Sequence, residues 1–384
     1  MTTLHTPHSQ TGRLHTRRLL TRPVTAAPDR TPPLHVAVVA PPWFSVPPDG
    51  YGGIEAMLGG LVDGLVDRGH RVTLIGAGPN GTRADRFVAV YEEPPSERLG
   101  EPMPEVLHAA VAARVLSELD VDVVHDNTLA GPLAARGYPA PTVVTAHGPV
   151  TGEAGRLLGA LGDSVELVAI SDAQRQDAPH LNWVGRVHNG IDVASHPVGE
   201  GADGYLLWLG RFSPAKGAHL AIDTARAAGM PLVLAGKLSE QSEHDYFEEA
   251  IRPRLGPGVC YVGAADAEMK RELYGAASAL LFPITWDEPF GLVMVEAMAC
   301  GTPVVALGRG SVPEVVEDGV TGFVVDHPDD LLGAVRRVDE LDRAACRRRT
   351  EELFDHRVMV DGYERIFRQV ADVPVSSVAR HRSA

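Results

Sequence analysis

The chain has 384 residues, 44% of which are hydrophobic, so it is long enough for two or three domains with apolar cores. Its formal net charge of −15 argues against nucleic acid as the main partner, because surfaces that bind nucleic acid are usually basic. It has no run of about 18 apolar residues, so no membrane-spanning helix is predicted. The three cysteines lie far apart in the sequence and form no metal-type or redox-type pair. We therefore interpret them as reduced packing residues of a cytoplasmic protein.

Residues 1–33 differ from the rest in composition, with five arginines, one acid and many Thr, Pro and His residues. They contain no apolar segment of the kind that a secretory signal needs. This composition predicts a disordered basic tail, with a basic arm that touches a membrane surface or a partner as the alternative. Residues 373–384 are predicted to be a second loose end.

The first ordered domain is predicted over 34–195. It opens with an apolar strand over 34–40, and a long loop rich in Pro and Gly follows over 41–53. Apolar residues at helical spacing predict a helix over 54–68, and the next strand is predicted over 71–75. A strand, a helix and a second strand in this order predict a parallel sheet.

The same alternation continues in the rest of this domain. Further strands are predicted over 87–90, 121–125, 141–146, 165–170 and 183–188, and helices over 104–119, 128–136 and 155–161. The composition shifts to Gly, Ala, Ser, Pro and acids over 193–204, where we place a linker.

A second alternating series is predicted over 204–355. Its strands are predicted over 205–210, 231–235, 259–262, 279–282, 303–306 and 322–325, and its helices over 218–228, 245–251, 267–276 and 291–300. A final helix over 356–372 is expected to pack back toward the first domain. Two such series predict an α/β protein with two doubly wound Rossmann-like domains that face a deep cleft.

Two acids stand out in the second domain. Asp287 and Glu288 follow a buried strand, at the edge where open α/β sheets bind ligands, and a helix start there suits a phosphate. Glu296 lies within an apolar helix, and an ionised carboxylate in such a place needs a partner. Two ribose hydroxyls would satisfy Glu296, with a buried arginine or backbone N–H groups as alternatives. Glu288 could accept sugar hydroxyls or could instead form part of a helix cap.

Three further groups of residues are candidates for ligand contacts. Arg211 and Lys216 lie in a strand-to-helix loop, where a guanidinium and an ammonium could hold a diphosphate without a metal. Gly52 and Gly53 precede a helix and could let backbone N–H groups approach a phosphate, although a plain turn is equally consistent. His147 ends a buried strand, so it could lie in the cleft and act in proton transfer, or it could be a packed histidine in a turn.

These residues, taken in order, resemble the retaining glycosyltransferases of family four, which have the GT-B fold. The shared segments include Gly52-Gly-Ile-Glu, Asp122-Val-Val-His, Thr145-Ala-His, Val168-Ala-Ile-Ser, His188-Asn-Gly-Ile-Asp, Gly210-Arg, Lys216-Gly, Gly301-Thr-Pro-Val-Val and Pro313-Glu-Val-Val. Glu288 and Glu296 are separated by seven residues, as in the family. The resemblance extends over about residues 34–372.

The resemblance implies a role for each candidate residue. Arg211 and Lys216 would hold the diphosphate of a nucleotide sugar, with the backbone of Phe290, Gly291 and Leu292 at the phosphate. Gly53, next to Gly52, would touch the phosphate from the other side. Glu296 would hold the ribose, Glu288 would contact sugar hydroxyls, and His147 would lie near the transferred sugar and the acceptor. Members of the family need no metal, and no cofactor other than the donor substrate is expected.

The expected reaction is transfer of a hexose, with retention, from a nucleotide-diphosphate sugar to a hydroxyl acceptor. A UDP-sugar is favoured, with GDP-mannose as the second choice. The alternatives are an epimerase or a phosphorylase on the same fold, or a non-catalytic protein that binds a nucleotide sugar. The acceptor would be chosen by first-domain loops such as 41–51 and 149–158, whose sequences do not identify it, and the oligomeric state is open.

Overall fold

A computed structural model describes residues 32–50 and 52–372 of the chain. The predicted basic tail before residue 32 and the predicted loose end over 373–384 therefore lie outside the described residues. Among the residues that are described, no helix has the length and apolar character needed to cross a bilayer.

The first domain contains a parallel sheet of seven described strands. Its elements are β1 (His35–Val39), α1 (Gly53–Asp67), β2 (Arg71–Ala77), β3 (Arg86–Tyr91), α2 (Pro102–Ser117), β4 (Val123–Asp126), β5 (Thr142–Ala146), α3 (Gly152–Leu161), β6 (Glu166–Ala169), α4 (Asp172–Asp177) and β7 (Trp183–Arg186). The strand order is β3-β2-β1-β4-β5-β6-β7, so the direction of winding changes between β1 and β4.

The second domain contains a parallel sheet of six described strands. Its elements are β8 (Leu206–Leu209), α5 (Ala218–Ala228), β9 (Leu232–Ala235), α6 (Gln241–Tyr246), β10 (Val259–Tyr261), α7 (Ala267–Ala276), β11 (Ala279–Phe282), α8 (Leu292–Ala299), β12 (Val304–Leu307), α9 (Val312–Val315), β13 (Gly322–Val325), α10 (Leu331–Val335) and α11 (Arg343–Leu353). The order is β10-β9-β8-β11-β12-β13, and the winding changes between β8 and β11.

The two sheets match the predicted fold of two doubly wound Rossmann-like domains. The central strands β1, β8 and β11 are buried almost throughout, because helices cover both faces of each sheet. In an open α/β sheet, ligands bind beyond the carboxyl ends of the strands at the change of winding. The loops over 40–50, 210–217 and 283–291 follow β1, β8 and β11 at these positions.

The last helix, α12 (His356–Ala371), packs against the first domain although it follows the second one in sequence. Arg68, directly after α1, pairs with Glu364 of α12 at 2.7 Å, and a Cβ on Gly64 of α1 would lie 2.5 Å from Val360. The buried Tyr363 donates to or accepts from Thr145 Oγ1 at 2.9 Å. The chain therefore crosses twice between the two domains.

Several predicted elements differ from those observed. The helix predicted over 128–136 is a 3₁₀ helix over Gly131–Gly137, because Thr128 instead forms a turn with Asp126. The helix predicted over 245–251 begins earlier, at Gln241, and ends in a π-helical turn over Phe247–Ile251. The cysteines are free as expected, but Cys260 is exposed rather than packed.

Candidate active site

A cavity of about 930 Å³ lies between the two domains. Residues of both domains, of the linker between them and of α12 contribute to its wall. The predicted site residues that line it are Gly52, Gly53, Arg211, Lys216, Glu288, Gly291, Leu292 and Glu296. Residues that are far apart in sequence are thus brought to one place by the carboxyl ends of β1, β8 and β11.

The amino-terminal ends of α1 and α8 meet at this cavity. Gly52 and Gly291 lie at the N-cap positions of these helices, both with positive φ. A Cβ built on Gly53 would lie only 2.9 Å from Leu292 Cδ1, so the two helix ends approach each other closely across the cleft. Because a helix N-terminus carries unpaired N–H groups and a partial positive charge, two such ends favour an anion between them.

Arg211 and Lys216 follow β8 and border the same cavity. The Arg211 side chain is 45% exposed, and its Nη1 lies 3.3 Å from Glu240 and 3.4 Å from Glu243. Lys216 Nζ lies 4.8 Å from the centre of the Trp286 ring. Gly217 permits the turn after Lys216, since it has a φ of 72° and a Cβ there would lie 2.0 Å from the carbonyl oxygen of Pro283.

Glu288 is only 8% exposed and accepts a hydrogen bond from Lys216 Nζ at 2.5 Å. Its backbone is also fixed, because Ser311 N–H donates a hydrogen bond to the Glu288 carbonyl oxygen at 2.9 Å. The alternative of a helix cap does not apply, since Gly291 occupies the N-cap position of α8 and no side chain caps it. The carboxylate is therefore a fixed acceptor with a cation beside it.

Glu296 is partly rather than fully buried, with 14% of its side chain exposed. Its partners are neither an arginine nor backbone N–H groups, because Lys270 Nζ donates to Oε1 at 2.7 Å and Tyr274 Oη donates to Oε2 at 2.8 Å. Burial, and then the charge of Glu296, raise the pKa of Tyr274 well above its usual value, so the phenol stays protonated and donates. Each carboxylate oxygen keeps a free lone pair that could accept a ribose hydroxyl.

Three basic side chains of this cavity were missed by sequence reasoning. Lys237 follows β9, and Lys270 and Arg271 lie on α7, and all three line the cavity wall. The spacing of Lys270 and Tyr274, four residues apart on one helix, was a signal that both face one neighbour. Nothing in the sequence showed that this neighbour is α8.

Two predicted site residues do not line this cavity. Phe290 is 2% exposed, and its ring packs against His188 and Phe354 in the core, so only its backbone is near the start of α8. His147 lies at the end of β5, where its Nε2 is 2.9 Å from Asn127 Oδ1. Burial lowers the pKa of His147 to about 4, so its imidazole is neutral at pH 7.

Comparison with known proteins identifies the family. Residues 197–352 match the family model described as glycosyl transferases group 1, and residues 51–195 match that of glycosyltransferase family 4. The α-maltose-1-phosphate synthase of Mycobacterium tuberculosis is 33% identical over 263 residues, which cover 57% of this chain and 68% of that protein. The chain belongs to the group 1 glycosyltransferases.

Other relatives and solved structures agree with this glycosyltransferase family. A phosphatidyl-myo-inositol mannosyltransferase of Mycolicibacterium smegmatis is 28% identical over 341 residues, 81% of this chain and 86% of that protein. The crystal structure of AviGT4, a glycosyltransferase involved in avilamycin A biosynthesis, matches with a TM-score of 0.68 and 29% identity over 88% of this chain and 98% of that one. Anabaena HepE in complex with UDP and glucose has the same GT-B fold, with a TM-score of 0.69 and 19% identity over 88% of this chain and 100% of that chain.

One carboxylate of this glycosyltransferase links its two domains. Glu314 lies in the first turn of α9 in the second domain. Its oxygens accept from the backbone N–H groups of Asp172 at 2.8 Å and Ala173 at 2.6 Å, which begin α4 in the first domain. His188 Nε2 lies 3.3 Å from the same carboxylate. This contact could not be predicted from the sequence, because it depends on how the domains face each other.

Proposed function

We propose that this glycosyltransferase moves a hexose from a nucleoside diphosphate sugar to a hydroxyl acceptor, with retention of the anomeric configuration. The observation that carries the proposal is the convergence of Arg211, Lys216, Glu288 and Glu296 on one interdomain cavity, which the ends of α1 and α8 also reach. A volume of about 930 Å³ is ample for a nucleotide sugar.

In this proposal the diphosphate lies between the two helix ends and takes Arg211 and Lys216 as partners. Three further cationic side chains, Lys237, Lys270 and Arg271, line the same cavity, and in this proposal the cations nearest the diphosphate offset its charge without a metal ion. Glu296 accepts the ribose hydroxyls, and its two existing donors hold the carboxylate in place. Glu288 accepts hydroxyls of the sugar.

The chemical step would break the bond between the anomeric carbon and the diphosphate oxygen. Negative charge then builds on the diphosphate, and donors already in position lower the barrier because they need no reorganisation. Glu288 is held by Lys216, which favours a role in hydroxyl recognition over one as a nucleophile. We therefore favour attack by the acceptor hydroxyl on the same face that the diphosphate leaves. The bond from acceptor oxygen to anomeric carbon forms, and the hydroxyl proton passes to the departing diphosphate.

A thermal-shift screen of UDP-, GDP-, ADP- and TDP-glucose and GDP-mannose tests this function. A ligand that binds only the folded state stabilises it by mass action, so the true donor should raise the melting temperature most. The same donor should then release free nucleoside diphosphate in a coupled assay. Binding without release would indicate a non-catalytic protein, conversion of the sugar without release would indicate an epimerase, and no binding at all would contradict the proposal.

A further inference from the structure

A second and smaller cavity, of about 180 Å³, lies next to the first one. One wall comes from the first domain, through the loop over 149–151 and helix α4, and the other from the second-domain loop over 286–289. Glu288 borders both cavities. A molecule in the smaller cavity would therefore lie beside the residue that is proposed to hold the transferred sugar.

The side chains around the smaller cavity have the chemistry of a carbohydrate site. Trp286 offers an aromatic ring, and its buried Nε1–H has no acceptor among the described residues. Asp177 and Asp287 are exposed carboxylates on opposite walls, one from each domain. None of the described residues that line the cavity is basic. Aromatic faces and carboxylates together suit a ring that carries several hydroxyls, while the acids disfavour a phosphate.

The walls of this cavity are held in a fixed relation by hydrogen bonds. Gln174 of α4 donates from Nε2 to the carbonyl oxygens of Ala146 and Gly148, each at 2.8 Å, which ties α4 to the loop after β5. The carboxylate of Glu314, in the second domain, accepts hydrogen bonds from the first N–H groups of α4. A Cβ on Gly310 would lie 2.3 Å from the Glu288 carbonyl oxygen, so that turn is pressed against the Glu288 loop. The site is thus built before a ligand arrives.

We propose that this cavity binds the acceptor, and that the acceptor presents a neutral or cationic sugar ring rather than a phosphorylated one. The proposal rests on the transferase function proposed above. The cavity of about 180 Å³ is roughly ten times the volume of about 10–15 Å³ that a single water needs by this measure, so it can hold a group larger than water, such as one sugar ring.

Filling the cavity separates acceptor binding from donor binding. In Thr151→Trp a large side chain enters from the first-domain wall; Thr151 caps no helix N–H with its side chain, so folding should be preserved. The donor found by thermal shift should still raise the melting temperature of this variant, while sugar-dependent release of nucleoside diphosphate falls to the rate with water alone. Leu133→Trp, at a residue that is 65% exposed and lines neither cavity, should behave as wild type.

Charge selectivity is tested with three sugars of matched ring, namely glucosamine, glucose and glucose 6-phosphate, each added to wild type with the same donor. We expect glucosamine or glucose to stimulate release of nucleoside diphosphate at least about tenfold more than glucose 6-phosphate, because two acids face the ring. In the double variant Asp177→Asn and Asp287→Asn, the preference for glucosamine or glucose over glucose 6-phosphate should be smaller. Preference for the phosphate, stimulation by none of the three, or an unchanged response in Thr151→Trp would overturn the proposal. If no donor raised the melting temperature of wild type, the proposed transferase function itself would be contradicted.

Discussion

At the scale of single residues, the site depends on carboxylates whose partners fix them before any ligand binds. Glu296 shows this most clearly, because Lys270 and Tyr274 each take one of its oxygens. These two donors hold the carboxylate with its remaining lone pairs free to accept hydrogen bonds. The side chain therefore needs no further ordering when the ribose binds. The burial of Tyr274 keeps the phenol a donor.

Replacement of Glu296 tests the ribose assignment. Glu296→Gln should raise the donor Kd by about tenfold or more, since a hydrogen bond to a charged group contributes about 1.5–3 kcal/mol. The turnover number at saturating donor should change much less. Titration with the donor, compared with Glu118→Gln at an exposed position, measures the effect. An unchanged Kd would contradict the role of Glu296.

Glu55 gives the site a dependence on pH. It is 3% exposed behind the Gly52–Gly53 turn, and burial raises its pKa from 4.5 to about 7, with its own backbone hydrogen bond opposing the change. Because the folded pKa is above the unfolded one, the stability contributed by this group is fully present below pH 4.5 and is lost as pH rises through about 7. A charged Glu55 would also repel a diphosphate at the adjacent turn.

The prediction is a loss of unfolding free energy and of donor affinity between pH 5 and pH 8 that Glu55→Gln reduces. The stability part should be no more than about 3 kcal/mol, from 1.36 kcal/mol per pKa unit. Burial also raises the pKa of Asp126 to about 7, and this group affects wild type and Glu55→Gln in the same direction. The difference between wild type and the variant therefore isolates the effect of Glu55. Chemical denaturation and donor titration at both pH values measure it. If the pH profiles of wild type and Glu55→Gln ran parallel, Glu55 would not be the source of the pH dependence.

At the scale of elements, the site is made by the starts of helices α1, α8 and α4. The first two face the main cavity, and the third meets Glu314 from the other domain. Each start is defined by local chemistry, with Gly52 and Gly291 at positive φ and Ser171 accepting from Gln174 N–H. Short-range sequence signals therefore place elements whose function depends on long-range packing.

The close approach of α1 and α8 predicts that a side chain at Gly53 displaces Leu292. In Gly53→Ala the new Cβ would lie 2.9 Å from Leu292 Cδ1, the end of a flexible side chain, so the leucine must turn away. Because Leu292 begins α8 at the proposed phosphate site, we expect the donor KM to rise while the stability changes little. Gly333→Ala, where nothing lies within 4 Å of the new Cβ, is the matched control. A wild-type donor KM in Gly53→Ala would show that donor binding does not depend on the position of Leu292.

Glu314 predicts a link between acid stability and domain contact. Although burial alone would raise its pKa, the hydrogen bonds from His188 and from the N–H groups of Asp172 and Ala173 lower it below 4.5. Its contribution to stability is therefore present above pH 4.5 and is lost as pH falls below that value. Glu314→Gln should lower the melting temperature at pH 7 and lower turnover as well, with a difference in stability that shrinks in acid. If the stability difference between wild type and Glu314→Gln were the same at pH 7 and below pH 4, this role of the Glu314 carboxylate would be contradicted.

At the scale of the whole molecule, the fold and the main cavity follow largely from the sequence. The elements Ala218–Ala228, Ala267–Ala276, Ala279–Phe282 and Gly322–Val325 occur at the predicted residues. They were predictable because their boundaries are local; Gly217 and Gly229 flank the first of them, and Asp266 caps the second. The change of winding in each sheet then places the loops that carry Lys216 and Glu288 together.

Contacts between separate elements were not predictable in the same way. Glu314 is a first-turn helix acid by its position, yet its carboxylate accepts hydrogen bonds from α4 of the first domain, and Lys270 donates to Glu296 on a different helix. Neither partner can be found from periodicity, because both depend on how α9 and α7 pack against elements far away in sequence. His147 was expected in the cleft, whereas it lies beside Asn127 and outside the lining of the main cavity, so its role stays a prediction.

The central claim is that Lys216 and Glu288 act together on the donor, and turnover measures this most directly. Release of nucleoside diphosphate should be followed in wild type, Lys216→Ala, Glu288→Gln and the exposed control Glu118→Gln, at saturating donor and acceptor. The account predicts that both site variants lose at least about 100-fold in kcat, the scale for removal of one preorganised contact, while the control keeps wild-type kcat. A kcat near wild type in either site variant would contradict it.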